Sequence, residues 1–286
     1  MFVIIGLLVV IGSIIGGYLM VGGHLAVLWQ PAELVIIGGS GLGAFIAANS
    51  KETITGAISG VIGLIKGPKY KADDYLELLT LQYQVFRTAR SKGMLALESH
   101  IDNPETSDLF NQFPNFASDH HAVEFFCDYL RLMTLGTDNP LEVETLIDQE
   151  LEVHHEHKSE VSHAVNIMAE SFPGLGIVAA VLGVIHTMGI ITEPPEILGA
   201  AIGAALVGTF LGILLCYGFV GPIAVAMKGI CDADHNYYVC LKTGIIAHLQ
   251  GYAPAVSVEF ARKTLGENNR PSFAKLEETT ATITPF

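Results

Sequence analysis

Two stretches without Asp, Glu, Lys or Arg, Ser171 to Thr192 and Ile197 to Met227, hold few side chains able to do chemistry, chiefly His186, Thr187, Thr209 and Tyr217. None is a carboxylate, so a proton moving beside them is expected to borrow its acid from another chain. His186 lies roughly 20 Å along its helix at 1.5 Å per residue, and either a proton relay or a neutral, hydrogen-bonded wall residue suits it. Thr209 falls mid-segment, where a threonine readily bonds back to the carbonyl one turn earlier. Pro173 and Pro222 each free a helix carbonyl, as hinges or as ordinary helix-end prolines.

Outside these stretches, His120, His121 and Glu124, and again His154, His155 and His157, could put two ligands on one helical face. Neither group completes a four-ligand set, and both lie on acidic amphipathic helices, so solvated faces are expected and no metal. No Ser-His-Asp or Cys-His arrangement is present, so the chain is expected to be no enzyme and to need no cofactor. Gly38-Gly39-Ser40-Gly41-Leu42-Gly43 lacks the order of a phosphate loop, follows no strand and suits helix packing.

The elements that must position these residues follow from charge and hydropathy. The chain has 286 residues, 50% of them hydrophobic, yet carries 29 Asp and Glu. All 15 Lys and Arg fall between Lys51 and Lys158 or between Lys228 and Lys275. The positive-inside rule puts both intervals in the cytoplasm, and an even number of spans puts both chain ends there too. The expected fold is an all-α integral membrane protein with four transmembrane helices, a large cytoplasmic helical domain between helices 2 and 3, and a cytoplasmic C-terminal tail.

Residues 1–50 hold the first two spans, Met1 to Gly23 and Leu34 to Ser50, joined by an external link from His24 to Glu33. Residues 51–70 space Ile54, Ile58, Ile62 and Ile65 helically ahead of Lys66, Lys69 and Lys71, the pattern of a helix at an anionic lipid leaflet or of a connector packed on the spans. Residues 71–170 form the water-soluble block, with breaks expected at Gly93, Asn103-Pro104 and Gly136 and a restart at Asn139-Pro140. Residues 171–227 are the hairpin of spans 3 and 4. Residues 228–286 are the tail, helical to Leu265 with a break at Tyr252-Ala253-Pro254 and mobile over about the last 20 residues as a polar chain end. Four Gly pairs, Gly12/Gly16, Gly39/Gly43, Gly199/Gly203 and Gly208/Gly212, have the spacing that lets helices approach closely in lipid. Cys127, Cys216, Cys231 and Cys240 show no paired spacing, and a net charge of −14 excludes nucleic acid as a partner.

Particular runs then resemble one family. Gly16-Gly17-Tyr18-Leu19-Met20, Gln30-Pro31-Ala32-Glu33-Leu34-Val35-Ile36-Ile37 and Phe172-Pro173-Gly174-Leu175-Gly176-Ile177-Val178-Ala179-Ala180 are similar to the MotA stator subunits of flagellar motors, within the MotA/TolQ/ExbB proton channel family. So are Val207-Gly208-Thr209-Phe210-Leu211-Gly212-Ile213-Leu214-Leu215, Gly251-Tyr252-Ala253-Pro254 and Arg270-Pro271-Ser272-Phe273. The resemblance implies a bacterial inner-membrane subunit in a homopentameric ring around a MotB-like single-span partner, whose membrane aspartate carries the ion. It implies torque on the rotor protein FliG through Arg90 and Glu98, with Glu150 a weaker third. It implies an ion pathway and conformational coupling at Pro173, Ala180, Thr209 and Pro222. Sodium-driven relatives carry threonine where Ala180 stands, so the transported ion is expected to be the proton. One proton crossing 100 mV releases about 2.3 kcal/mol, enough to bias a ring between positions only if the path is sealed. Rival expectations are an ExbB/TolQ-like envelope energiser, which generally has three spans, and a non-conducting membrane scaffold.

Overall fold

A computed structural model of the chain describes residues 2–137 and 139–283, and among these every regular element is helical. In chain order they are α1 (Phe2–Met20), α2 (Leu25–Leu28), α3 (Pro31–Leu34), a π turn (Val35–Gly39), α4 (Ser40–Ala48), α5 (Lys51–Lys66) and α6 (Ala72–Lys92). Next come the short turns around α7 (Glu98–Asp102) and α8 (Pro114–Ala117), then α9 (His120–Thr134) and α10 (Pro140–Gly189). α11 (Pro195–Ile213), a second π turn (Leu214–Val220), α12 (Gly221–Leu249), α13 (Pro254–Lys263) and α14 (Phe273–Thr282) complete the chain. Four helical segments are long and apolar enough to cross a membrane: Phe2–Met20, Leu25–Ala48, Pro140–Gly189 and Pro195–Leu249.

The chain forms two compact units, one of Met1–Gly67 with His157–Cys231, the other of Pro68–Glu156 with Asp232–Phe286. In the first, α10 and α11 meet with almost no side chain between them. A Cβ on Gly212 would stand 2.5 Å from the Phe172 carbonyl oxygen and 2.9 Å from Gly176 Cα, and one on Gly183 would stand 2.9 Å from Ala205 Cα. Close backbone approach is what small residues permit where lipid offers no hydrophobic driving force. Gly12, Gly16, Gly39 and Gly43 meet nothing within 4 Å among the described residues, so their faces stay open within the chain. α5 starts at Ser50, whose hydroxyl accepts from Thr53 N at 3.2 Å. One α5 face packs through Gly56 and Gly60 onto Val161 and Met227, while Ile58, Ile62 and Ile65 stay exposed.

The link between the first two helices is shorter than the sequence suggests. Pro31 occupies the first turn of α3 and helical backbone runs on through the π turn to Ala48, so Glu33 lies inside the second span segment. Proline favours that first-turn position because its missing N–H would lack a partner there anyway.

The second unit is built on aromatic side chains. Tyr70 stacks on Tyr237 at 3.7 Å, Tyr75 lies against Tyr237, and Phe125 meets both Tyr129 and Tyr238 edge-on. Gln82 is fully buried on α6 and donates to the Leu241 carbonyl at 3.0 Å, in a gap left by Gly244. Gly93 and Gly136 take positive φ and stop α6 and α9 where the sequence places breaks. The tail differs from the mobile end expected: α14 begins at Ser272, whose hydroxyl caps Lys275 N at 3.2 Å, and Leu276 is buried in this unit's core against α6. One apolar face is enough to dock a short polar helix.

Candidate functional site

The candidate ion wall is the α10–α11 contact. Ala180 on α10 faces Gly208 on α11, with Ala180 N 3.2 Å and Ala179 Cβ 3.1 Å from the Cβ position of Gly208. Thr209 is half-buried beside it, so the structure brings Ala180 and Thr209 to one level. Gly176, between Pro173 and Ala180, faces the Gly208 carbonyl and Gly212. Pro173 sits inside unbroken α10, where its missing N–H leaves the carbonyl one turn earlier without its usual donor.

Pro222 lies apart from this cluster. It stands exposed at the start of α12, directly after the π turn, where Gly221 N donates to the Cys216 carbonyl instead of closing an ordinary α turn. A wide turn before proline moves the ring clear of the preceding carbonyls, and such turns recur at functional positions. Thr187 bonds back to the Gly183 carbonyl at 2.9 Å, while His186 and Tyr217 are exposed on the single chain.

The side chain that sequence reasoning missed is Glu33. It is 7% exposed, and its Oε2 lies 2.8 Å from the Cβ position of Gly208, with no hydrogen-bond partner among the described residues. Hence the wall does carry a carboxylate, contributed by the second span segment. Pro31 two residues earlier was the available signal, since a helix starting there encloses Glu33.

In the other unit, Arg90 and Glu98 flank the Gly93 turn, Arg90 on the last turn of α6 and Glu98 opening α7. Both are exposed, and neither forms an ion pair among the described residues. Behind Arg90, His248 stacks on Phe86 at 4.5 Å. Burial, then the nearby Arg90 charge, pushes its imidazole down to about 4. Glu150 belongs to a different cluster: the Tyr129 hydroxyl donates to its carboxylate. There it lines a cleft of about 260 Å³ with His121, Glu124, Asp128, His154 and Tyr238. His155 and His235 lie with rings 4.5 Å apart beside Asp232. No group of three or more metal-ligating side chains converges among the described residues.

Asp119 anchors this unit. Burial pushes its carboxyl up, but Lys69 at 2.8 Å and the Tyr70 hydroxyl at 2.6 Å outweigh that and hold it below the ordinary carboxylate range.

Four apolar span segments, with every regular element helical among the described residues, define a polytopic all-α membrane protein, and residues 118–235 match the MotA/TolQ/ExbB proton channel family. Residues 4–93 match the motility protein A N-terminal family, and the chain belongs to the motility protein A family. It is 44% identical to motility protein A of Salmonella typhimurium over 97% of this chain and 94% of that one. Against motility protein A of Escherichia coli the figures are 43%, 97% and 94%, and against the chemotaxis protein LafT of Vibrio parahaemolyticus 35%, 96% and 96%. The fold superposes on the Campylobacter jejuni MotAB structure with a TM-score of 0.76 at 20% identity, covering 94% of this chain and 98% of that one. For the Bacillus subtilis flagellar MotAB stator complex the TM-score is 0.74 at 23% identity, with the same coverage. Membership makes the chain a motility protein of the proton-channel family, and not an enzyme.

Proposed function

We propose that the chain is the moving wall of a proton-driven stator. It assembles as a homopentameric ring around a MotB-like single-span partner and turns proton flow through that partner's membrane aspartate into torque on FliG. The observation that carries this is the α10–α11 seam, where glycines bring two backbones into contact beside Ala180 and Thr209. A tight seam suits a path that must not leak, and Ala180 offers no side-chain oxygen that could replace part of the water of a sodium ion.

In this assembly the unit holding α6, α7 and α9 is cytoplasmic, both chain ends are cytoplasmic, and Arg90 and Glu98 engage the rotor, with Glu150 a weaker contributor. Pro173 and Pro222 let the wall change shape as the proton binds and leaves. The match of residues 4–93 to the motility protein A N-terminal family favours this over an ExbB/TolQ-like energiser. The test is motor torque under separately imposed proton and sodium gradients. Torque should follow the proton gradient; torque that follows sodium and ignores pH would sink the proposal.

A further inference from the structure

We propose that Glu33 is a second proton-binding site of the stator, held in the wall of this chain in series with the partner's acid; this rests on the stator function proposed above. Four observations converge. Glu33 is 93% buried, since only 7% of it is exposed. Its Oε2 occupies the space that a side chain on Gly208 would fill, 2.8 Å from that Cβ position. That oxygen has no hydrogen-bond partner among the described residues. Finally, Glu33 lies within the second span segment, Leu25–Ala48, and level with Gly208 on α11.

No counter-charge meets it there among the described residues. α10 and α11, which pack around it, carry no Lys or Arg from Ser159 through Met227. On α10 the exposed Glu170 stands ten residues before Ala180, Glu193 and Glu196 lie at the hairpin turn, Glu52 is exposed at the start of α5, and His186 is exposed on α10. An ionisable side chain within a span is costly, and it persists where it works. Gly208 makes the space, and Ala179 and Ala180 close it from α10.

The step balances simply. A hydronium ion on the entry side gives a proton to Glu33: one of its O–H bonds breaks to leave water, and a new O–H bond forms on what is then a neutral carboxyl. That bond breaks when the proton passes, through water, to the partner's carboxylate, and Glu33 returns to its anion. The π turn at Val35–Gly39 begins two residues after the acid, so its helix carries a wide turn close to the held side chain.

The test uses whole motors in cells carrying wild type, E33Q or E33D. Torque is recorded across external pH, and membrane abundance is scored beside it. Glutamine keeps the shape and cannot titrate, so E33Q at wild-type abundance should lose most of its torque. Aspartate keeps the acid but withdraws it from Gly208, so E33D should retain torque with a displaced pH profile. Wild-type torque with an unmoved pH profile in E33Q overturns the proposal. Should E33Q fail to accumulate, E33D decides: a displaced profile supports the site, and an unmoved one removes it. Failure of the stator function itself looks different, because wild-type torque would then ignore the proton gradient altogether.

Discussion

Gly176 and Gly212 touch through their backbones: a Cβ on Gly212 would come within 2.9 Å of Gly176 Cα, and one on Gly176 within 3.1 Å of Gly212 Cα. Neither clash can be relieved by turning a side chain, because both neighbours are backbone. Gly212→Ala should therefore force α10 and α11 apart, at about 1–3 kcal/mol of overpacking. Torque should be lost and the detergent-solubilised protein should melt earlier. Gly63→Ala is the control, since nothing lies within 4 Å of its Cβ position and alanine favours helix by about 1 kcal/mol. Equal melting of the two variants would mean the seam is not tight.

Charge at the Gly93 turn gives a second expectation. Arg90 and Glu98 are exposed on either side of it and hold no ion pair within the described chain, so reversing either should leave folding within about 0.5 kcal/mol. Arg90→Glu and Glu98→Lys should lower torque while membrane abundance stays at the wild-type level. If both variants drive the motor normally, these residues do not face the rotor.

Much of the fold was legible because charge and hydropathy are long-range signals: the gaps in Lys and Arg mark the spans, and Gly93, Asn103-Pro104 and Gly136 mark the breaks. Glu33 was misjudged because an acid beside an apolar run looks like the end of a span, and only Pro31 argued otherwise. The π turn at Leu214–Val220 was invisible, since its apolar residues suit an α-helix equally well and only the hydrogen bond from Gly221 to Cys216 distinguishes them. The tail helix was underestimated because a single buried side chain, Leu276, holds much of its contact. Of the candidate wall, Ala180 was singled out through resemblance and Thr209 as one of the few polar side chains in an uncharged stretch; the acid opposite them needed the fold.

Asp119 should make the aromatic unit acid-sensitive. Its carboxyl also caps α9, accepting from Ala122 N, and Lys69 and Tyr70 hold it ionised. Its folded pKa lies below the unfolded value, so its contribution is present above about 4 and is lost as pH falls through the folded pKa. Asp119→Asn should cost about 1–3 kcal/mol near neutrality. The gap between variant and wild type, followed by thermal unfolding of the full chain, should close in acid. A gap that stays constant with pH would show that charge contributes nothing there.

Arg90 and His248 should be coupled, and the coupling separates rotor contact from local folding. His248 is held at about 4 by burial and by the Arg90 charge, against an ordinary value of 6.5. Between those limits the unfolded chain binds more protons than the folded one, so stability is full above about 6.5 and falls as pH drops toward 4. His248→Phe should flatten the unfolding curve across that window, because a ring that cannot titrate can still stack on Phe86. Arg90→Glu removes a repelling charge and adds an attracting one, so a nuclear magnetic resonance titration should find the His248 imidazole moved upward. At neutral pH the imidazole is mostly neutral in either case, so torque lost in Arg90→Glu cannot be assigned to His248. A His248 titration that does not move on charge reversal would place Arg90 too far away to act on it, and that would leave rotor engagement as its sole electrostatic consequence.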